Sequence, residues 1–130
     1  MRHLIAACLL IASLIHLLPA LGVLGAERLA QLYGLNLSEP NLLILMRHRA
    51  VLFGVVAGLL LWAVLAPALR PAAFAAGLAS VLSFLVLARM SGDHNAQLAR
   101  VVMVDWFALG VLAAGAAAQL VLQLREPLSG

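Results

Sequence analysis

The residues with which this chain could do chemistry stand in surroundings that disfavour them. Arg47, His48 and Arg49 interrupt the apolar run NLLILMRHRAVLFG (41–54), Asp105 closes NAQLARVVMVD (95–105), and His16 sits inside LIASLIHLLP (10–19). A carboxylate, an imidazole and guanidinium groups gathered out of water have three uses: an ion pair that docks helices, a grip on the polar head of an amphiphile, or a path for protons. Each use requires separate segments to carry these groups to one depth.

Composition says what those segments are. The chain has 130 residues, 65% hydrophobic and 10% charged, with a mean hydropathy of +1.12. Soluble domains run at about half apolar and a quarter charged, so the expected solvent is a bilayer. Four apolar stretches reach or approach the roughly 17 to 25 residues that span it. The expectation is an all-α, integral-membrane four-helix bundle in one domain, 1–130, with helices at about 4–26, 41–66, 71–89 and 100–124. The first stretch is read as a helix and not as a cleaved signal, because its apolar run exceeds the usual 7 to 15 residues of a signal core.

The connections carry their own signals. Pro19 should disturb the end of the first helix. In ERLAQLYGLNLSEP, Leu29, Leu32 and Tyr33 suit a short interfacial helix that Gly34 stops, with Tyr33 at headgroup level. In SEPN, Ser38 is a candidate cap and Glu39 suits the helix dipole. Gly54 and Gly58 in GVVAG, and Gly110, Ala114 and Ala118, give small-residue edges for close helix packing, within the bundle or in a homo-oligomer through Gly54 and Gly58.

Several function classes drop out. The net charge of +3 comes from arginines in short connections, without the basic face and interleaved aromatics of a nucleic-acid binder. Cys8 has no partner in the chain. No phosphate loop, G-x-S-x-G, paired-cysteine or H-E-x-x-H motif is present, no cofactor is implied, and His48, Asp93, His94 and Asp105 lack regular metal-ligand spacing.

Register then groups the polar residues. Four spans put both chain ends on one side and the 27–41 and 89–100 connections on the other, the loop side. Residues 7, 11 and 14 apart share a helix face. Asp105, Leu112, Ala116, Gln119 and Gln123 form such a stripe, expected to face inwards because lipid offers its polar groups no partner. His16 shares a mostly small face with Leu9, Ala12, Ala20 and Val23. Arg47 shares one with Val51, Gly54 and Gly58, so it is expected to point at a neighbouring helix, whereas Arg49 is expected to snorkel to headgroups. A charge at a helix centre costs at least about 2.5 to 3.5 kcal/mol, which makes Asp105 the first expected partner of Arg47 and Glu39 the second.

The strings LIHLLP, ERLAQLYG, EPN, LMRHRAVLFG, LRP, GLASVLSFL and NAQLARVVMVD resemble small bacterial inner-membrane proteins with four helices, DoxX-like in character, over nearly the whole chain. The resemblance implies that Glu39, Arg47, His48, Arg49, Asn95, Arg100 and Asp105 form a characteristic polar set, and a multi-pass place in the bacterial inner membrane. Some proteins of that kind carry the label phosphopantetheine adenylyltransferase, yet this chain has neither the H-x-G-H motif nor room for a nucleotidyltransferase fold. With His16 added, the polar set reads as a ligand-binding or structural cluster and not a catalytic one. The rival readings are a membrane enzyme or redox accessory acting on a quinone-like or lipid substrate, and a small oligomeric transporter. Arginine counts on the two sides do not decide the orientation.

Overall fold

In the computed structural model, which describes residues 1–125, the helices are α1 (Arg2–Ala20), α2 (Ala26–Tyr33), α3 (Pro40–Leu65), α4 (Arg70–Met90) and α5 (Ala96–Arg125). The last five positions of the expected domain lie outside the described residues. Short 3-10 turns occupy Leu21–Leu24 and Pro67–Leu69, and no strand occurs among the described residues. The all-α bundle is as expected. Four segments, carrying α1, α3, α4 and α5, are long and apolar enough to cross a membrane.

The helix ends follow from individual residues. Pro19 has no N–H for the preceding turn, and α1 passes at Leu21 into a 3-10 turn, short of the expected residue 26. Gly34, at φ 63°, ends α2 and donates its N–H to the Ala30 carbonyl at 2.8 Å, a left-handed cap that suits glycine. The start of α3 is held by Glu39 and not by Ser38: its carboxylate accepts from the Asn41 N–H at 2.9 Å and the Leu42 N–H at 2.7 Å. Asn95 starts α5 four residues earlier than the expected 100, its Oδ1 accepting from the Leu98 N–H at 2.8 Å.

The spanning helices form a ring in which α1 packs on α3 and α5, and α4 closes against both, with the α3–α4 seam the sparsest. Ile5, Leu9, Leu60, Phe74 and Leu112 meet in the core. On the loop side, Leu29, Tyr33 and Leu37 build a smaller core with Leu43, Met46, Leu98 and Val101, which folds α2 back against α3 and α5.

The glycines show where helices truly touch. A Cβ on Gly58 or Gly110 would meet nothing within 4 Å, and one on Gly54 would reach only Ala20 at 3.7 Å. The GVVAG edge is therefore not the main seam inside the bundle. Close helix approach occurs instead at Gly115, where a Cβ would lie 2.7 Å from the Cys8 Cβ and 2.6 Å from the Phe74 ring. Alanine there gains up to about 1 kcal/mol of helix propensity, but overpacking costs roughly 1 to 3 kcal/mol and the Cys8 Cβ has no torsion by which to retreat. Gly115→Ala is expected to lower the melting temperature in detergent while Gly58→Ala leaves it unchanged or raises it; equal melting of the two variants would refute this seam.

Candidate functional site

Two arginines two residues apart, and so on nearly opposite faces of the helix, take different roles on α3. Arg49 lies on the face that continues through Phe53, Val56 and Leu60, the half-buried to buried side of the helix. Arg47 is exposed and donates from Nε to the Val23 carbonyl at 3.1 Å, at the end of the first span. Arg47 thus meets the neighbouring span, as expected, though it stays exposed, whereas Arg49, expected to snorkel outwards, turns inwards. The physical reason is volume, because the large residues Phe53, Val56 and Leu60 hide more apolar surface than the Gly54 and Gly58 edge that Arg47 shares.

Arg49 is held by rings. Its guanidinium carbon lies 4.9 Å from the centroid of Phe53, 5.2 Å from that of Tyr33 and 5.5 Å from that of Phe84, all within the roughly 6 Å over which a cation is attracted to a ring face. A desolvated contact of this kind contributes about 2 kcal/mol, so two of them match the insertion cost of the charge without a carboxylate in contact. Tyr33, on the connection between the first two spans, is 3% exposed. Burial pushes its hydroxyl up from the ordinary value of 10.0, with the Arg49 charge pulling back, so it stays protonated at neutral pH.

Asp105 and His16 complete the site. Arg49 and Asp105 each stand nine residues into their helices (40 to 49 and 96 to 105), about 14 Å from the loop-side end at 1.5 Å per residue. Arg49 is the basic group whose charge acts on Asp105. His16 is 2% exposed; its Nδ1 lies 2.9 Å from the Ala12 carbonyl, to which it donates. That fixes Nε2 as the acceptor of the neutral ring, and Nε2 is buried with no partner among the described residues. His16, Tyr33, Arg49, Phe53 and Asp105 line a void of about 10 Å³, close to the least that holds one water.

Two larger cavities meet this cluster at Arg49. One of about 340 Å³ lies towards the loop side and is bounded by Tyr33, Met46, Phe84, Ser91, His94 and Leu98 as well as Arg49. The other, about 220 Å³, lies along the sparse α3–α4 seam between Leu52, Phe53, Val56, Ser80, Ser83, Phe84 and Leu87. Its exposed Leu52, Ser83 and Leu87 place its mouth on the outer flank of the bundle. Among the described residues, Arg49 is the one charged side chain lining both.

The rest of the expected set does not converge here. Glu39 caps α3 and pairs with neither arginine. Asn95 donates from Nδ2 to the Tyr33 carbonyl at 2.8 Å and so ties α2 to the start of α5, which positions Tyr33 without touching Arg49. His48 and Arg100 are exposed. Among the described residues no three His, Cys, Asp or Glu side chains gather to hold a metal ion. Tyr33, Phe53 and Phe84 were missed from the sequence; Phe53 was accessible there, one turn beyond Arg49 on the same face.

No family model, curated protein or solved structure matches this chain.

The Glu39 cap carries a pH signature. Backbone N–H groups of Asn41 and Leu42 hold its carboxyl below the ordinary 4.5. A depressed folded value means that its contribution is complete above the unfolded value and is lost as pH falls through the folded one. Glu39→Ala should therefore melt below wild type at pH 7, with the gap narrowing once the pH drops under about 4.5; a gap that does not change with pH would show that the carboxylate is not the cap.

Proposed function

We propose that this protein is a multi-pass protein of the bacterial inner membrane that binds a single-headed amphiphile. The head is anionic or rich in hydrogen-bond acceptors and lies against Arg49; the apolar part lies in the α3–α4 seam. The observation that carries this reading is that Arg49 alone lines the interior void, the loop-side cavity and the lateral groove together. The guanidinium has five N–H donors, more than its bond to Tyr33 uses, and the apolar walls at Leu52, Val56 and Leu87 suit a chain more than a second polar group. The combined space is of the order of the few hundred Å³ that small ligands occupy. The likeness to the DoxX-like group belongs to this proposal, because its most specific block, LMRHRAVLFG, contains Arg49 and begins the groove.

A second reading is favoured by His16. An unpartnered Nε2 across a one-water void from Asp105 is an arrangement in which a proton can be held or passed, as an enzyme or redox accessory acting on a quinone-like or lipid substrate would need. No nucleophile stands beside a base in this cluster, so the binding reading is preferred.

Native mass spectrometry in mild detergent separates these. Delipidated wild type and Arg47→Gln are each expected to retain one added long-chain fatty acid, and Arg49→Gln to lose it by roughly tenfold or more, the cost of one charged hydrogen bond. Retention by Arg49→Gln equal to wild type, or no retention by wild type, would overturn the proposal. A coloured or redox-active adduct extracted from the wild type would move the assignment to the second reading.

A further inference from the structure

A second polar cavity lies at the opposite end of the bundle and plays no part in the Arg49 site. It has a volume of about 250 Å³ and is lined by Arg2, Pro67, Arg70, Gln119, Leu122 and Gln123. These are residues of the chain-terminal side: the start of α1, the α3–α4 turn and the last turns of α5. Their place near the helix ends puts the cavity at the depth of lipid headgroups.

The cavity has a built interior. Arg70 is 8% exposed, and it donates from Nε to the Ala63 carbonyl at 3.3 Å and from Nη2 to the Val64 carbonyl at 3.4 Å. Those bonds cap the end of α3 and fix the guanidinium plane, while the fork has further N–H donors beyond the two engaged. Gln119, also 8% exposed, keeps its Oε1 buried with no partner among the described residues. A buried amide oxygen left unpaired costs about 1 to 3 kcal/mol, which a ligand that donates to it returns. Among the described residues, no acidic side chain lines the cavity.

We propose that this cavity is an anion site for a phosphate ester that also carries a hydroxyl. Arg70 donates to the phosphate oxygens, and Gln119 Oε1 accepts from the hydroxyl. A plain carboxylate offers acceptors only and leaves the amide oxygen unpaired. Leu122 and Pro67 flank the site with the apolar contact that a glycerol backbone needs. The ester comes either from a phospholipid headgroup at this depth or from a soluble phosphate ester in the adjoining water.

The test uses the full chain, delipidated in mild detergent, and native mass spectrometry with three probes: phosphatidylglycerol, phosphatidylcholine and glycerol 3-phosphate. One phosphatidylglycerol should be retained in preference to phosphatidylcholine, which has the phosphodiester without the hydroxyl. Gln119→Leu and Gln123→Glu should each weaken it by about tenfold or more. Gln123 is exposed, so its variant tests the site even where Gln119→Leu disturbs the core. Glycerol 3-phosphate binding with the same dependence on Gln119 and Gln123, in place of the lipid, would support the site and assign the soluble source. Wild type that binds neither probe, or binding unchanged in both variants, would overturn the proposal.

Discussion

Arg49 stands nine residues into α3, about 14 Å along the helix, and the loop-side half of this molecule is arranged around its charge. The rings of Tyr33, Phe53 and Phe84 come from three different helices and converge on Arg49. Each imposes something on its own element. Tyr33 can reach Arg49 only because α2 folds back beneath the loop-side ends of α3 and α5, which is what the bond from Asn95 to the Tyr33 carbonyl secures. Phe84 faces Arg49 only by holding α4 away from a tight seam with α3, and the groove between them is the space that results.

The two halves of the bundle therefore follow different packing rules. Towards the chain termini, small residues let large ones in: Gly77 lies under Leu112, and Gly115 lies against Phe74 and Cys8. Interiors packed in this way resist any change of volume. Towards the loops the filling is aromatic and cationic, and rings around a fixed charge leave gaps that aliphatic side chains would close. Ser13, which donates to the Ala57 carbonyl at 2.9 Å, lies one turn from His16 and marks where the polar half gives way to the apolar core.

Much of this fold was legible in the sequence, because a membrane-spanning helix needs only length and apolarity to be recognised. The stripe of Asp105, Leu112, Ala116, Gln119 and Gln123 was legible in part: Leu112 and Gln119 are buried and Asp105 and Ala116 half-buried, but Gln123, at the end of the helix, is exposed. The roles of Arg47 and Arg49 were not. Helical period puts them on different faces but does not say which face is inside, and α3 offers both a small-residue edge and a large apolar edge as seams. Taking Gly54 and Gly58 as the seam put Arg47 inside, whereas the larger buried area lies along Phe53, Val56 and Leu60. Glu39 and Asn95 were misread for a related reason: acidic and amide side chains near helix ends serve as caps as readily as ligands, and only local hydrogen bonds show which use is made. Arg70 and Gln119 belong to distant segments, so their shared cavity has no periodic signature at all.

The chain order of the aromatic contacts bears on how the molecule enters its membrane. Synthesis runs from the N-terminus, so α1, α2 and the first half of α3 are complete before α4 and α5 exist. Tyr33 lies sixteen positions before Arg49 and Phe53 four after it (33, 49 and 53), which makes two of the three rings available as soon as α3 leaves the ribosome. Phe84 and Asp105 arrive later. The half-buried cation thus has its own local shelter, and insertion of α3 need not wait for a distant carboxylate to be made. A chain that relied on Asp105 to neutralise Arg49 would have to hold an unshielded charge in lipid until its last helix emerged.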